Sequence, residues 1–119
     1  MNEDEFNKRI ARIRQRFAAA LPQKIDGGFA ALPRLAESDA DAIELLVVTH
    51  RNLHEMCGVA PSIGFTATGV AARAAETVLR GPAKSKRPLT PQEVVAYREA
   101  IEKLREAAQS ELESIRGRG

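Results

Sequence analysis

Tryptophan is absent from this 119-residue chain, tyrosine occurs once and phenylalanine four times. The apolar bulk therefore comes mainly from Ala, Leu, Val and Ile, which suits closely packed helices better than a β-sandwich. A lone cysteine, Cys57, excludes an internal disulfide and a cysteine-based zinc site. No apolar run approaches the roughly 18 residues of a membrane span. The acidic opening Met1-Asn2-Glu3-Asp4-Glu5 lacks the apolar core of a signal peptide. Nor is positive charge gathered on one face: the net charge is +2 and both signs are interspersed, so the basic footprint of a nucleic-acid binder is missing. What is present, 44% apolar and 29% charged residues, is ordinary globular composition. The length suits one domain over residues 1–119. We expect a soluble, cytoplasmic protein with no nucleic-acid or membrane partner.

Helical spacing accounts for nearly all of the chain. Phe6, Ile10, Ile13 and Phe17 form a first stripe at intervals of four, three and four, with charges between them. Pro22 predicts a break or kink, followed by a less regular stripe of Ile25, Phe29, Leu32 and Leu35. Ser38-Asp39-Ala40-Asp41 reads as a helix start with a capping serine and two acids at the positive end of the dipole. That helix carries Ile43, Leu46, Leu53 and Cys57 and should end or bend at Pro61. A further helix is predicted from near Phe65 to Arg80, then a loop over Gly81–Pro88. Thr90-Pro91-Gln92-Glu93 combines a threonine cap, proline at the first helical position and glutamate at the third. The last helix places Val94, Tyr97, Ile101, Leu104, Ala108, Leu112 and Ile115 on one seam. An all-α, antiparallel four-helix bundle with an additional or kinked N-terminal helix is the economical fold.

Both histidines fall on the third stripe. At about 100° per residue, Leu45, Leu46, Leu53, Met56, Cys57 and Ala60 share one broad face with His50 near its edge. His54 lies roughly 105° from the centre of that face, beside Val47, Arg51 and Gly58. His50 is thus expected to be partly buried and His54 to reach solvent. Gly58, one turn after His54, costs on the order of 1 kcal/mol relative to alanine inside a helix. Fraying before Pro61 or close packing would explain it, and so would clearance beside His54. A neutral imidazole is nucleophilic near pH 7 and can form a covalent intermediate.

The stretch His54-Glu55-Met56-Cys57-Gly58-Val59-Ala60-Pro61-Ser62-Ile63-Gly64-Phe65 resembles the signature of histidine-containing phosphotransfer (HPt) domains. That signature has an aliphatic residue two after the histidine, glycine four after it, small residues next, and a second glycine ten after it. His54, Met56, Gly58, Ala60, Ile63 and Gly64 fit, and the order of helices on both sides fits too. The resemblance implies a phosphoryl carrier rather than a turnover enzyme. His54 would accept a phosphoryl group and pass it to or from receiver-domain aspartates in a multistep phosphorelay. Its partners would be a hybrid or sensor histidine kinase and response-regulator receiver domains, and it would work as a monomer without cofactor or metal of its own. Gly58, Arg51, Gly64 and His50 would support the site. At position 57, where family members often carry lysine, this chain has cysteine; Arg51 is the candidate to supply the positive charge instead.

Other readings have less behind them. His50 and His54 stand at the i, i+4 spacing that lets a helix offer two metal ligands, but a third is not apparent. Cys57 on an apolar stripe reads as a packing residue, Ser62 as a turn residue, and Lys84-Ser85-Lys86-Arg87 as a solvated cluster. The serious alternative is an HPt-like docking or scaffold protein that carries no phosphate; retention of His54 favours the carrier.

Overall fold

Asn2 opens the first helix, its side chain accepting the Glu5 N–H at 2.8 Å, and Glu3, Asp4 and Glu5 occupy the positive end of the helix dipole. The computed structural model describes residues 2–118, of which the last two are described in backbone only. Among them are four α-helices and no strand: α1 Glu3–Ala31, α2 Ala40–Val59, α3 Thr66–Ser85 and α4 Pro91–Arg118. Short 3-10 turns, Leu32–Arg34 and Ala60–Ile63, follow α1 and α2. The whole measures 50 × 28 × 18 Å.

Of the break or kink expected at Pro22, the break does not occur; α1 runs through it. A mid-helix proline costs about 3 kcal/mol by removing one backbone hydrogen bond and crowding the preceding turn. Leu21 and Ile25, both buried, anchor the helix on either side and offset that cost. Two further boundaries move. Asp39, not Ser38, caps α2, its carboxylate accepting the Ala42 N–H at 3.0 Å. α3 continues past Arg80 through Gly81 and Pro82 to Ser85, because Pro82 is itself packed into the core near the end of the helix. The loop shrinks to the residues after Ser85. There Lys86 adopts a left-handed conformation (φ 53°) and Arg87 N–H reaches Pro82 O at 3.0 Å. At α4 the capping box forms as its residues predict: Glu93 N–H donates to Thr90 Oγ1 at 3.2 Å, and Thr90 N–H to Glu93 Oε1 at 2.9 Å.

α2 packs chiefly on α3 and α3 on α4, while α1 leans on α4 and α2. Leu21, Leu46, Phe65, Leu79, Tyr97 and Leu104 are fully buried among them. α1 and α4 approach closely at Gly28, where an added Cβ would stand 2.8 Å from Ile101 Cδ1 and 3.1 Å from the Tyr97 hydroxyl. Tyr97 donates that hydroxyl to Gly28 O at 2.9 Å, and burial pushes its phenol well above the usual range. Gly64 ends the turn after α2 at φ +92°, a left-handed conformation that favours glycine. The turn is tied to α1 by Arg14 Nε, which donates to Ile63 O at 2.9 Å. Glu111 of α4 receives the Ala67 and Thr68 N–H groups at the start of α3. No helix among the described residues is long and apolar enough to cross a membrane.

Candidate functional site

On the seam between α2 and α3 four polar side chains meet. Glu76 is the centre. On α3 it falls in register with Ala72, Leu79 and Ala83, a stripe spaced four, three and four that faces the core. Its side chain is 2% exposed. Two histidines of α2 turn to the same carboxylate oxygen: His50 Nε2 lies 3.1 Å and His54 Nδ1 3.3 Å from Glu76 Oε1. Arg80, one turn further along α3, closes a two-point grip, with Nη2 2.6 Å from Oε2 and Nε 3.2 Å from Oε1.

Glu76 is therefore buried yet fully partnered. The Arg80 guanidinium, and then the two ring N–H groups, hold its carboxyl well below the ordinary 4.5, at about 2, against the opposing effect of burial. Arg80 is raised in turn by Glu76. An ionised carboxylate only accepts hydrogen bonds, so both ring nitrogens that face it carry hydrogen. A neutral His54 ring with Nδ1 donating to Glu76 carries its lone pair on Nε2. No described residue hydrogen-bonds that Nε2. The ring itself is open to solvent, with the His54 side chain 69% exposed against 23% for His50. The two rings lie 6.2 Å apart, stacked at 26°.

The separation of the histidines read from the helical wheel thus holds: His50 lies half-buried under the seam and His54 at its open edge. Gly58 faces open space, with no heavy atom within 4 Å of where a Cβ would stand. Close packing against another helix does not explain this glycine, and α2 continues one residue beyond it. Cys57 is buried and donates its thiol to the His54 carbonyl at 3.2 Å, so it packs beneath the site. Gly64 acts on the turn after α2. Arg51 is exposed and makes no hydrogen bond to His54 among the described residues. The cation the fold brings to this site is Arg80. Among the described residues, no group of three or more His, Cys, Asp or Glu side chains is placed to hold a metal ion.

Sequence reasoning missed Glu76 and Arg80. A signal was present: a lone glutamate occupying the core-facing stripe of an alanine-rich helix, with arginine four residues on. No protein-family model, no curated protein and no solved structure matches the chain.

Proposed function

We propose that this protein is a histidine phosphotransfer protein of the HPt kind, carrying a phosphoryl group on His54 between receiver-domain aspartates in a cytoplasmic multistep phosphorelay. The observation that carries the reading is the His54 ring: exposed, oriented through Nδ1 by a buried carboxylate, with no hydrogen bond to Nε2 from the described residues. Transfer needs a nucleophile held in line and little else from the carrier. The Nε2 lone pair attacks the phosphorus of the donor's aspartyl phosphate; the N–P bond forms as the P–O bond breaks, and the aspartate leaves as carboxylate. No proton has to move, because Nδ1 already bears one. The positive charge that develops on the ring is met by Glu76, and delivery to a second receiver reverses the step. Any Mg²⁺ required would be the receiver's.

Several features support this reading. The empty space at Gly58 leaves clearance one turn from the ring. Arg80 supplies the positive charge that the family often draws from the lysine replaced by Cys57. The pairings His54 with Glu76, Thr68 with Glu111 and Gly28 with Tyr97 suit an antiparallel four-helix bundle.

The test is incubation of the protein with a phosphorylated receiver domain, or with a kinase and ATP, scoring acid-labile label. Label is expected on the wild type and absent from His54→Gln, whose exposed side chain can change without loss of fold. Equal labelling of the two proteins would refute the assignment. Absence of label from both, with wild-type signalling retained by His54→Gln, would identify a docking protein instead.

A further inference from the structure

Glu76 divides its hydrogen bonds unevenly. Oε2 accepts from Arg80 Nη2 alone, at 2.6 Å. Oε1 accepts from three donors: His50 Nε2 at 3.1 Å, Arg80 Nε at 3.2 Å and His54 Nδ1 at 3.3 Å. A carboxylate offers about four lone-pair sites, two on each oxygen. Oε1 is therefore oversubscribed, while Oε2 has a site that no described residue uses. The distances follow this division: the bond to Oε2 is short and charge-assisted, the three that share Oε1 are all longer, and the His54 bond is the longest.

The surroundings preserve the crowding. Arg80 grips both oxygens of a side chain that is only 2% exposed, which resists rotation of the carboxylate. The two histidines stand one turn apart on α2, with rings stacked at 26°, so both reach Oε1 from the same helix. Each donor on that oxygen draws off charge that the others would otherwise use. His50 and His54 are thus competitors for one acceptor.

The competition bears unequally on the two states of His54. A phosphoryl group on Nε2 makes the ring a cationic donor, which bonds a carboxylate more strongly than a neutral one. A firmer hold by Glu76 would therefore favour the phosphorylated ring over the free one. Acceptance and delivery are the forward and reverse of one exchange, so what speeds the first slows the second. A carrier needs both.

We propose, resting on the phosphotransfer reading, that His50 is a positioning residue that tempers the hold of Glu76 on His54. By occupying Oε1 it keeps the phosphorylated ring from being bound too firmly, so that His54 gives up the group as readily as it takes it.

Two measurements test the competition and its consequence separately. Nitrogen-15 shifts of the imidazoles at neutral pH, read through the carbon-bound ring protons, report the share of His54 with hydrogen on Nδ1. That share should rise in His50→Leu and return to the wild-type value in His50→Gln, whose amide N–H can replace the ring donor. In transfer assays with a phosphorylated receiver, His50→Leu should raise the ratio of acceptance to delivery rates by about fivefold, the size of one hydrogen bond's net contribution. His50→Gln should keep the wild-type ratio. Introduced into Glu76→Gln, the His50→Leu change should leave the ratio within about twofold, because it acts through the carboxylate. Circular dichroism checks the fold, and His50→Ala should give the same signs if leucine disturbs the seam. A share of Nδ1–H unchanged or lowered by loss of His50 overturns the proposal. So does a transfer rate that falls in both directions, or an effect that persists in Glu76→Gln. Absence of label from every protein would refute the phosphotransfer reading instead, and the nitrogen shifts would still decide whether His50 competes with His54.

Discussion

Two glutamates in this chain are drawn down to about 2 by an arginine, and they sit in opposite settings. Glu93 belongs to the start of α4: it is partly exposed, receives the Thr90 N–H and takes both guanidinium nitrogens of Arg87 from the loop just before it. All of its partners are local, and one is a backbone group that the helix end would otherwise leave unsatisfied. Glu76 satisfies no backbone group. It is buried in mid-helix and spends its bonds on Arg80 and on two histidines of another helix. A buried ion pair often contributes no net stability over a well-packed apolar substitute. The first acid is accounted for by the fold, and the second by what it does to His54.

The largest difference should appear in phosphotransfer. Glu76→Gln loses the ionised acceptor that orients His54 and, in the proposed transfer, would meet the charge formed on the ring. Loss of a carboxylate that orients a reactive histidine costs roughly 10–100-fold in comparable metal sites. Initial rates of label transfer should fall by that order in Glu76→Gln and stay within about twofold of wild type in Glu93→Gln, whose effect is confined to the cap. Equal rates in all three proteins would erase the distinction between the two acids.

Acid titration sharpens the comparison. Each glutamate has a folded-state pKa depressed from the ordinary 4.5 to about 2. The stability each contributes is therefore complete above about 4.5 and lost as the pH falls towards about 2. Glu76→Leu and Glu93→Gln should each flatten acid unfolding in that window. Added salt separates them: it screens the partly exposed Glu93–Arg87 pair more than the buried Glu76. A salt response equal in the two variants would mean that Glu76 is more hydrated than its burial implies.

At neutral pH the order of importance for stability should reverse. Thr90→Ala removes a cap and is expected to cost about 1 kcal/mol. Glu76→Leu keeps similar bulk, lets the exposed Arg80 and His54 return to water and leaves one half-buried donor, His50 Nε2, unpaired, so urea unfolding at pH 7 should show a loss no greater than that of Thr90→Ala. If Glu76→Leu unfolds the protein while Thr90→Ala does not, the mid-helix acid is a structural keystone and the contrast fails.

How much of this was legible in the sequence follows the same division. The α4 cap was fully readable, because Thr90, Pro91 and Glu93 act on backbone within one turn. The different exposures of His50 and His54 were readable too, since a helical wheel needs only its apolar face. Pro22 and Pro82 do not end their helices, because the loss of one hydrogen bond is local whereas the burial of Leu21, Ile25 and Pro82 is set by distant helices. Asp39 was passed over for Ser38 because both are good caps and only the actual entry angle of the chain decides between them. Glu76 was passed over for a related reason: its place on the core-facing stripe was readable, but in an alanine-rich helix a glutamate looks solvated until α2 is laid against it. Phe6, Ile10, Ile13 and Phe17 were readable as a stripe, but how much of it meets the rest of the fold depends on where α1 passes Ile63.

The smallest effect bears on the remaining open element of the site, Gly58. Two uses of a helical glycine predict opposite signs on substitution. If another element needed the space, alanine would clash and destabilise. A Cβ at Gly58 meets nothing within 4 Å, so Gly58→Ala should instead stabilise α2 by about 0.5–1 kcal/mol through its higher helix propensity. Thermal unfolding would register this as a modest rise in Tm. Gly58→Phe can project into solvent without strain and should fold as well as the wild type, but it stands one turn from the His54 ring, where a partner's active site would approach in the proposed transfer. The ratio of transfer rates between Gly58→Ala and Gly58→Phe therefore measures clearance separately from stability. A Phe variant that transfers as fast as the Ala variant would detach this glycine from the function of His54. A slow but stable Phe variant would show that α2 gives up helix stability at this position to leave room for its partner.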